Sequence, residues 1–360
     1  MSLSRFLGAV LALVLFTVPA QAGRMQAEPA MFPVSKVLSD KHASLVRPSI
    51  VGDRLVYSRR DADDYSVIQV QASEPSIVTR RLEATHLKEA VRFGVALEGG
   101  AVGYVSNRMG PVSAWMRQGR GDGHVAIANM GSFSGALVPM SLHASYDGRT
   151  WCFDTTMEKV LQSRAITQFS DGSKHPELLA QPWRFYDSNS FEHKLGYKST
   201  ESGNVSKFEP PSLFVFNRQT SQLTMIPNAL NGAVSPNGKR VTFVRNTGGN
   251  YDIWMQDVDG GDLIQLSDTQ FGEFEPAWSP DGRRIAFASN QDRGGEVLGM
   301  SIYVLDVENG RVQRLTNAPH ATDGAPTWQD EHTIVFHSNR DPSDPQGDTV
   351  SRWSLWQVKF

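Results

Sequence analysis

Short apolar runs with a two-residue alternation, each closed by a turn rich in Gly, Pro, Asn or Asp, recur along most of the chain. The pattern is clearest in Trp278-Ser279-Pro280-Asp281-Gly282-Arg283-Arg284-Ile285-Ala286-Phe287-Ala288-Ser289. It aligns with Val234-Ser235-Pro236-Asn237-Gly238-Lys239-Arg240-Val241-Thr242-Phe243-Val244-Arg245. Proline presets φ, Asp or Asn tolerates the left-handed region and Gly supplies a positive φ, so each string predicts a strand, a tight turn and a second strand. Ser145-Tyr146-Asp147-Gly148 ahead of Trp151-Cys152-Phe153 is a third copy.

The aromatic residue of the second strand gives a register. Tyr57, Tyr104, Phe153, Tyr197, Phe243, Phe287 and Phe336 are spaced by 47, 49, 44, 46, 44 and 49 residues. Third and fourth strands follow in several units: Ile302 to Asp306 with Val312 to Thr316, Ile253 to Gln256 with Leu263 to Leu266, and Leu213 to Phe216 with Gln222 to Ile226. Four strands per period of this length predict an all-β fold, a β-propeller of four-stranded blades, with seven blades favoured. If the stretch from 155 to 211 is instead one insertion, the count falls to six. The last unit runs out at its third strand, Ser354 to Val358, while Val34 to Leu38 has no unit of its own. That N-terminal strand is expected to complete the last blade and close the ring, which removes two open sheet edges.

The strings Arg314-Leu315-Thr316, Pro326-Thr327-Trp328, Pro276-Ala277-Trp278-Ser279-Pro280-Asp281-Gly282 and Ile285-Ala286-Phe287 resemble the TolB-like propeller repeat. The resemblance is specific from about residue 230 to 340 and is reduced to aromatic register and turn remnants before that. It implies a secreted or periplasmic β-propeller that often serves as a protein-binding platform. The segment between Gly23 and Arg47 is too short for the additional N-terminal α/β domain of TolB, so a stand-alone propeller is expected. Similar repeats also occur in oligogalacturonate lyases and in the propellers of prolyl oligopeptidase-type peptidases, and fold alone does not choose among these functions.

Arg5, the apolar run from Phe6 to Val18 and the small-residue site Ala20-Gln21-Ala22 form the pattern of a secretory signal peptide. Residues 1–22 are therefore expected to be removed, 23–45 to form an extension carrying the closing strand, and 46–360 to form the propeller, with a periplasmic location. No later window is apolar enough to span a bilayer, so no stable membrane insertion is expected after cleavage. The formal net charge of -3 gives no general attraction to phosphate, and no nucleic-acid partner is expected. The single cysteine, Cys152, excludes an internal disulfide framework and reads as a small buried apolar residue.

Candidate chemistry lies in departures from the repeat, because a residue that recurs at the same place in several blades serves the blade. The recurring Ser-Asn-Arg-type strand ends and the Ser-Pro-Asp-Gly aspartates read as turn or ion-pair elements. Loops between strands two and three, and from strand four to the next blade, share one face of the ring. There, Glu273, Glu275, Arg293, His320, Asp323, Arg340 and Trp353 are candidate ligand- or partner-binding residues on a partly acidic rim, with Trp353 as an exposed anchor. Trp278 and Trp328 are expected between blades, and residues 155–164, with Met157, Val160 and Leu161 on one stripe, as a short helix.

No metal and no cofactor are expected: the nine histidines form no ligand-spaced pair, and no nucleotide loop is present. In Gly131-Ser132-Phe133-Ser134-Gly135 a phenylalanine holds the place of the serine of a nucleophile elbow, and no catalytic residue is assigned. Two functions remain. The first is a protein-binding or scaffold module with an envelope or periplasmic protein partner. The second is a propeller enzyme acting on polysaccharide, of lyase or hydrolase type, with its site at the channel mouth. Partner identity and oligomeric state stay open.

Overall fold

The computed structural model describes residues 32–60, 65–71, 80–81, 91–106, 113–118, 123–128, 137–139, 141–157, 211–247, 249–295, 299–317, 319–345 and 350–360. The described strands form six sheets, five of four strands and one of five. One sheet contains β2 (Ser44–Val51), β3 (Arg54–Arg60), β4 (Tyr65–Gln71) and β5 (Arg80–Arg81). The next contains β6 (Val91–Ala96), β7 (Val102–Ser106), β8 (Ser113–Arg117) and β9 (His124–Ala128). The five-stranded sheet has β10 (Leu137–Pro139) and β11 (His143–Ala144) at its inner edge, then β12 (Thr150–Met157), β13 (Ser212–Asn217) and β14 (Gln222–Pro227). A fourth sheet contains β15 (Leu230–Val234), β16 (Arg240–Thr247), β17 (Asn250–Asp257) and β18 (Ile264–Gln265). A fifth contains β19 (Glu273–Trp278), β20 (Arg284–Ser289), β21 (Ser301–Asp306) and β22 (Val312–Arg314). The last is built from β23 (Asp323–Asp330), β24 (Thr333–Arg340), β25 (Val350–Lys359) and, at its outer edge, β1 (Val34–Leu38), with Val34 opposite Val358.

The fold is an all-β propeller with four-stranded blades, as the repeat predicts. The expectation of seven blades is corrected. Phe153 lies on β12, which pairs directly with β13, Phe153 opposite Phe214. Residues 158–210 therefore belong to a connection inside one sheet; Tyr197, the mark of the expected extra unit, lies in it and outside the described residues. The short helix expected over 155–164 is corrected where it can be followed, because residues 155–157 continue β12; Val160 and Leu161 lie outside the described residues.

The turn chemistry is the same in all three Ser-x-(Asp/Asn)-Gly copies. Ser145, Ser235 and Ser279 donate through Oγ to Asp147, Asn237 and Asp281, and accept the N–H five residues on, from Thr150, Arg240 and Arg284. Tryptophans tie neighbouring blades together: Trp278 Nε1 donates to Ala233 O at 3.1 Å and Trp328 Nε1 to Ala277 O at 3.0 Å. The apolar clusters follow the same seams, and Cys152 is fully buried in one of them beside Leu213, Val215 and Phe243.

Candidate functional site

The inner strands of the sheets line a central cavity of about 100 Å³. Five of these strands carry a bulge, between Val46 and Ser49, Arg92 and Val95, Leu230 and Ala233, Phe274 and Ala277, and Gly324 and Thr327. Within each bulge one non-glycine residue adopts left-handed backbone: Arg47 (φ 54), Phe93 (φ 53), Asn231 (φ 51), Glu275 (φ 55) and Ala325 (φ 44). In three of the five the N–H is taken by a side chain of the preceding blade. Arg47 N donates to His337 Nδ1 at 3.0 Å, Asn231 N to Asp154 Oδ2 at 2.5 Å and Ala325 N to Glu275 Oε2 at 2.6 Å.

The backbone of this ring repeats, but its side chains do not. Guanidinium, phenyl, carboxamide, carboxylate and methyl groups occupy equivalent positions, all bordering the cavity. Left-handed backbone costs a β-carbon residue on the order of 1 kcal/mol, and glycine would avoid it. Arg47, Phe93 and Glu275 thus carry this backbone cost at positions that border the cavity.

Arg47 and Glu275 meet across the last sheet, Nη2 to Oε1 at 3.6 Å. The Arg47 guanidinium also lies 4.8 Å from the centre of the Phe93 ring. The Glu275 side chain is only 8% exposed, and its Oε1 has no hydrogen-bond donor among the described residues. Gly324 keeps this corner open, because a methyl group there would sit 2.7 Å from His337 Nε2 and 2.9 Å from Glu275 Oε2. Burial, and secondarily the Arg47 charge, holds the His337 imidazole well below its ordinary pKa. It is neutral, as its acceptance of the Arg47 N–H at Nδ1 requires. Burial also raises the Asp154 carboxyl, an effect opposed by the Asn231 N–H.

Among the residues expected from sequence, Glu275 is the one that borders the cavity. Glu273, Asp323 and Arg340, expected on a solvated rim, are 1%, 0% and 0% exposed, because each sits where the blade ladder must satisfy polar groups without water. Arg340 Nη2 donates to both carboxylate oxygens of Asp323, at 2.6 and 2.5 Å, and Thr316 Oγ1 donates to the same carboxylate at 2.6 Å. Glu273 accepts from Ser267 Oγ at 3.0 Å and Thr269 Oγ1 at 2.5 Å, and burial followed by nearby Asp252 lifts it to about 8. Trp353, expected as an exposed anchor, is buried edge-to-face against His337 at 4.7 Å. His320 is exposed and away from the cavity lining. Arg293 ends a short 3-10 turn, Gln291–Arg293, and its side chain lies outside the described residues.

Sequence reasoning passed over Arg47, Phe93, Asn231 and Ala325. Their signal was positional: with Glu275, they lie 10 to 12 residues ahead of Tyr57, Tyr104, Phe243, Phe336 and Phe287. No group of three or more His, Cys, Asp or Glu residues is placed to hold a metal ion among the described residues. Nor is any helix among them long and apolar enough to cross a membrane.

Residues 211–346 match the family model described as the TolB beta propeller domain. The chain carries TolB-like propeller repeats. Over 128 residues, 35% of this chain, it is 29% identical to the Tol-Pal system protein TolB of Alcanivorax borkumensis, covering 27% of that protein. Over 120 residues, 32% of this chain, it is 26% identical to an uncharacterized peptidase, YuxL, of Bacillus subtilis, covering 18% of that protein. These curated relatives are thus matched over about a quarter of their length or less. A solved oligogalacturonate lyase in complex with manganese superposes with a TM-score of 0.53 at 10% identity, covering 93% of this chain and 98% of that one. That likeness concerns the fold alone. The TolB-like repeats lie in the part of the chain where the sequence pattern is strongest.

Proposed function

We propose that this TolB-like propeller is an exported, periplasmic protein-binding module that receives a segment of a protein partner at the mouth of its central channel. The observation that carries the proposal is the ring of strained inner-strand positions, where one repeated backbone presents Arg47, Phe93, Asn231 and Glu275. A small cavity bordered by apolar wall and a few polar groups suits one or two side chains, or a chain end, of a larger partner. In the same proposal β1 acts as the closing strand of the ring, and residues 1–22 direct export.

The test is affinity capture of the tagged protein from its native cell envelope after brief crosslinking. The control is the double variant Asn231→Ala, Glu275→Gln, in which Gln still accepts the Ala325 N–H. A partner recovered reproducibly with the wild type and lost with the variant is the expected result. Recovery of nothing, together with turnover in a polysaccharide screen, would replace the binding module with the enzyme alternative.

A further inference from the structure

The outermost strand of a sheet presents a row of backbone groups that another chain can pair with, and short length, charge and bulges are the usual means of preventing it. Among the described residues, the outer strands of five sheets carry such a device. β5 and β18 are two residues long, and β5 is Arg80-Arg81. β22 has three residues and ends in Arg314. β9 shifts register against β8 between Ala126 and Ala128, and β1 carries Lys36 and a register shift between Lys36 and Leu38. β14 differs. Gln222-Leu223-Thr224-Met225-Ile226-Pro227 holds no charge, and its ladder with β13 runs without a shift. Pro227 ends the strand and leaves the five positions before it regular. No strand among the described residues pairs with its other edge.

The side chains of this edge are apolar where they are exposed. Leu223 is 40% and Met225 58% exposed, the highest value for a large hydrophobic side chain among the described residues. Two positions apart, they share one face, opposite Phe216 and Phe214 of β13. The strand is also self-complementary. A two-fold axis perpendicular to the sheet through Thr224 pairs two copies antiparallel, with Thr224 opposite Thr224, Leu223 opposite Met225 and Gln222 opposite Ile226 of the second copy. One face then gathers two leucines and two methionines, the other pairs the threonines, and no like charges meet. A contact of this symmetry closes at two copies.

We infer that β14 is the surface through which the protein pairs with a second copy of itself, the two sheets joining edge to edge across the two-fold axis. The contact lies on the outer rim, apart from the partner-segment site at the channel mouth, and does not depend on it. A six-residue edge is smaller than the standard interface of about 800 Å² per partner, so the pairing is a reversible equilibrium.

Sedimentation equilibrium of the purified protein over a range of concentrations reads the association. Leu223→Lys with Met225→Lys sets like charges opposite one another across the axis, whereas Leu223→Lys with Met225→Glu sets opposite charges there. Ile264→Lys, at a side chain 41% exposed on β18, is the control for a charge elsewhere on the rim. Thermal melts confirm that each variant is folded. The expected result is a concentration-dependent dimer in the wild type and in Ile264→Lys, a dissociation constant raised about tenfold or more by the two lysines, and recovery with the lysine and glutamate. Wild-type protein that stays monomeric at every concentration would overturn the proposal and leave the edge to a strand of another protein. A dimer that the double-lysine variant forms equally well would place the contact elsewhere, and failure of the lysine and glutamate variant to recover would overturn the two-fold register.

Discussion

Replacing Glu273 with Gln should flatten the pH dependence of stability between about pH 5 and 8. The seams on either side of the fifth sheet are built on one plan. Thr316 Oγ1 accepts the Ile302 N–H and donates to Asp323, while Ser267 Oγ accepts the Ile253 N–H and donates to Glu273. They differ in what neutralises the carboxyl. Asp323 has Arg340; the corresponding strand end around Glu273 reads Ser289-Asn290-Gln291, with Gln in the arginine's place. Glu273 instead has the Asp252 carboxyl nearby, whose charge raises it further, and Asp268 acts on Asp252 in the same sense. Burial is the largest cause of the rise in both, to about 8 for Glu273 and about 6 for Asp252.

The folded protein thus keeps a proton that the unfolded chain, with an ordinary glutamate near 4.5, releases much earlier. The resulting stability is complete below the ordinary glutamate range and is lost as pH rises toward 8. At 1.36 kcal/mol per pH unit, that interval corresponds to about 5 kcal/mol. Glu273→Gln cannot ionise; its single oxygen can accept from Ser267 or from Thr269, which donate to different oxygens of the glutamate, and its amide nitrogen takes the place of the other oxygen. Urea unfolding of both proteins from pH 5 to 9 is the assay. The wild type should lose several kcal/mol relative to the variant across the range, with the variant the more stable at pH 9. Parallel curves would show that the proton is not held in this seam.

Three further outcomes follow from the same geometry. Arg340→Met takes from the buried Asp323 carboxyl its guanidinium partner and leaves the Thr316 hydroxyl donating to it, and should lower the unfolding free energy by about 3 to 5 kcal/mol in chemical denaturation; a loss below 1 kcal/mol would contradict a buried pair. Gly324→Ala places a methyl group against His337 and Glu275 and should destabilise by about 1 to 3 kcal/mol, measured by the same unfolding; no change would mean that this corner yields without resistance. Deleting residues 30–40 removes β1 and its pairing with β25, together with the Phe32 ring packed 5.9 Å from Phe360. The melting temperature should fall by several degrees, and an unchanged transition would contradict ring closure by this strand.

Much of the fold was legible because its determinants are local. The Ser-Pro-Asp-Gly turns and the alternation of β20 and β21 each state their own geometry. The blade count was not, because Phe153 and Phe243 stand 90 residues apart, two periods, and Tyr197 falls midway by spacing alone. Spacing does not distinguish an extra blade from an insertion as long as a blade. That distinction lies in the pairing of β12 with β13.

The candidate site was legible only in Glu275. Glu273, Asp323 and Arg340 carry the charges expected of a rim, yet those charges serve the seams, and nothing local to Asp323 indicates that Arg340 will cover it. The channel residues were hidden for the opposite reason. Left-handed backbone at Arg47 and Phe93 is imposed by a bulge in the ladder, and neither residue type announces it. The positions emerge only when the blades are aligned and the changing side chains are read against the constant backbone.

The most direct measurement places a photocrosslinking benzoylphenylalanine at Asn231, on the cavity, and separately at Met225, 58% exposed on the outer strand β14, in cells that make the protein. If the channel mouth receives a partner segment, irradiation should yield one adduct from Asn231, mapping by mass spectrometry to a single short stretch of one protein, and no adduct of that protein from Met225. Adducts of the same partner from Met225 alone would contradict the central claim and place the interaction on the outer edge of the ring.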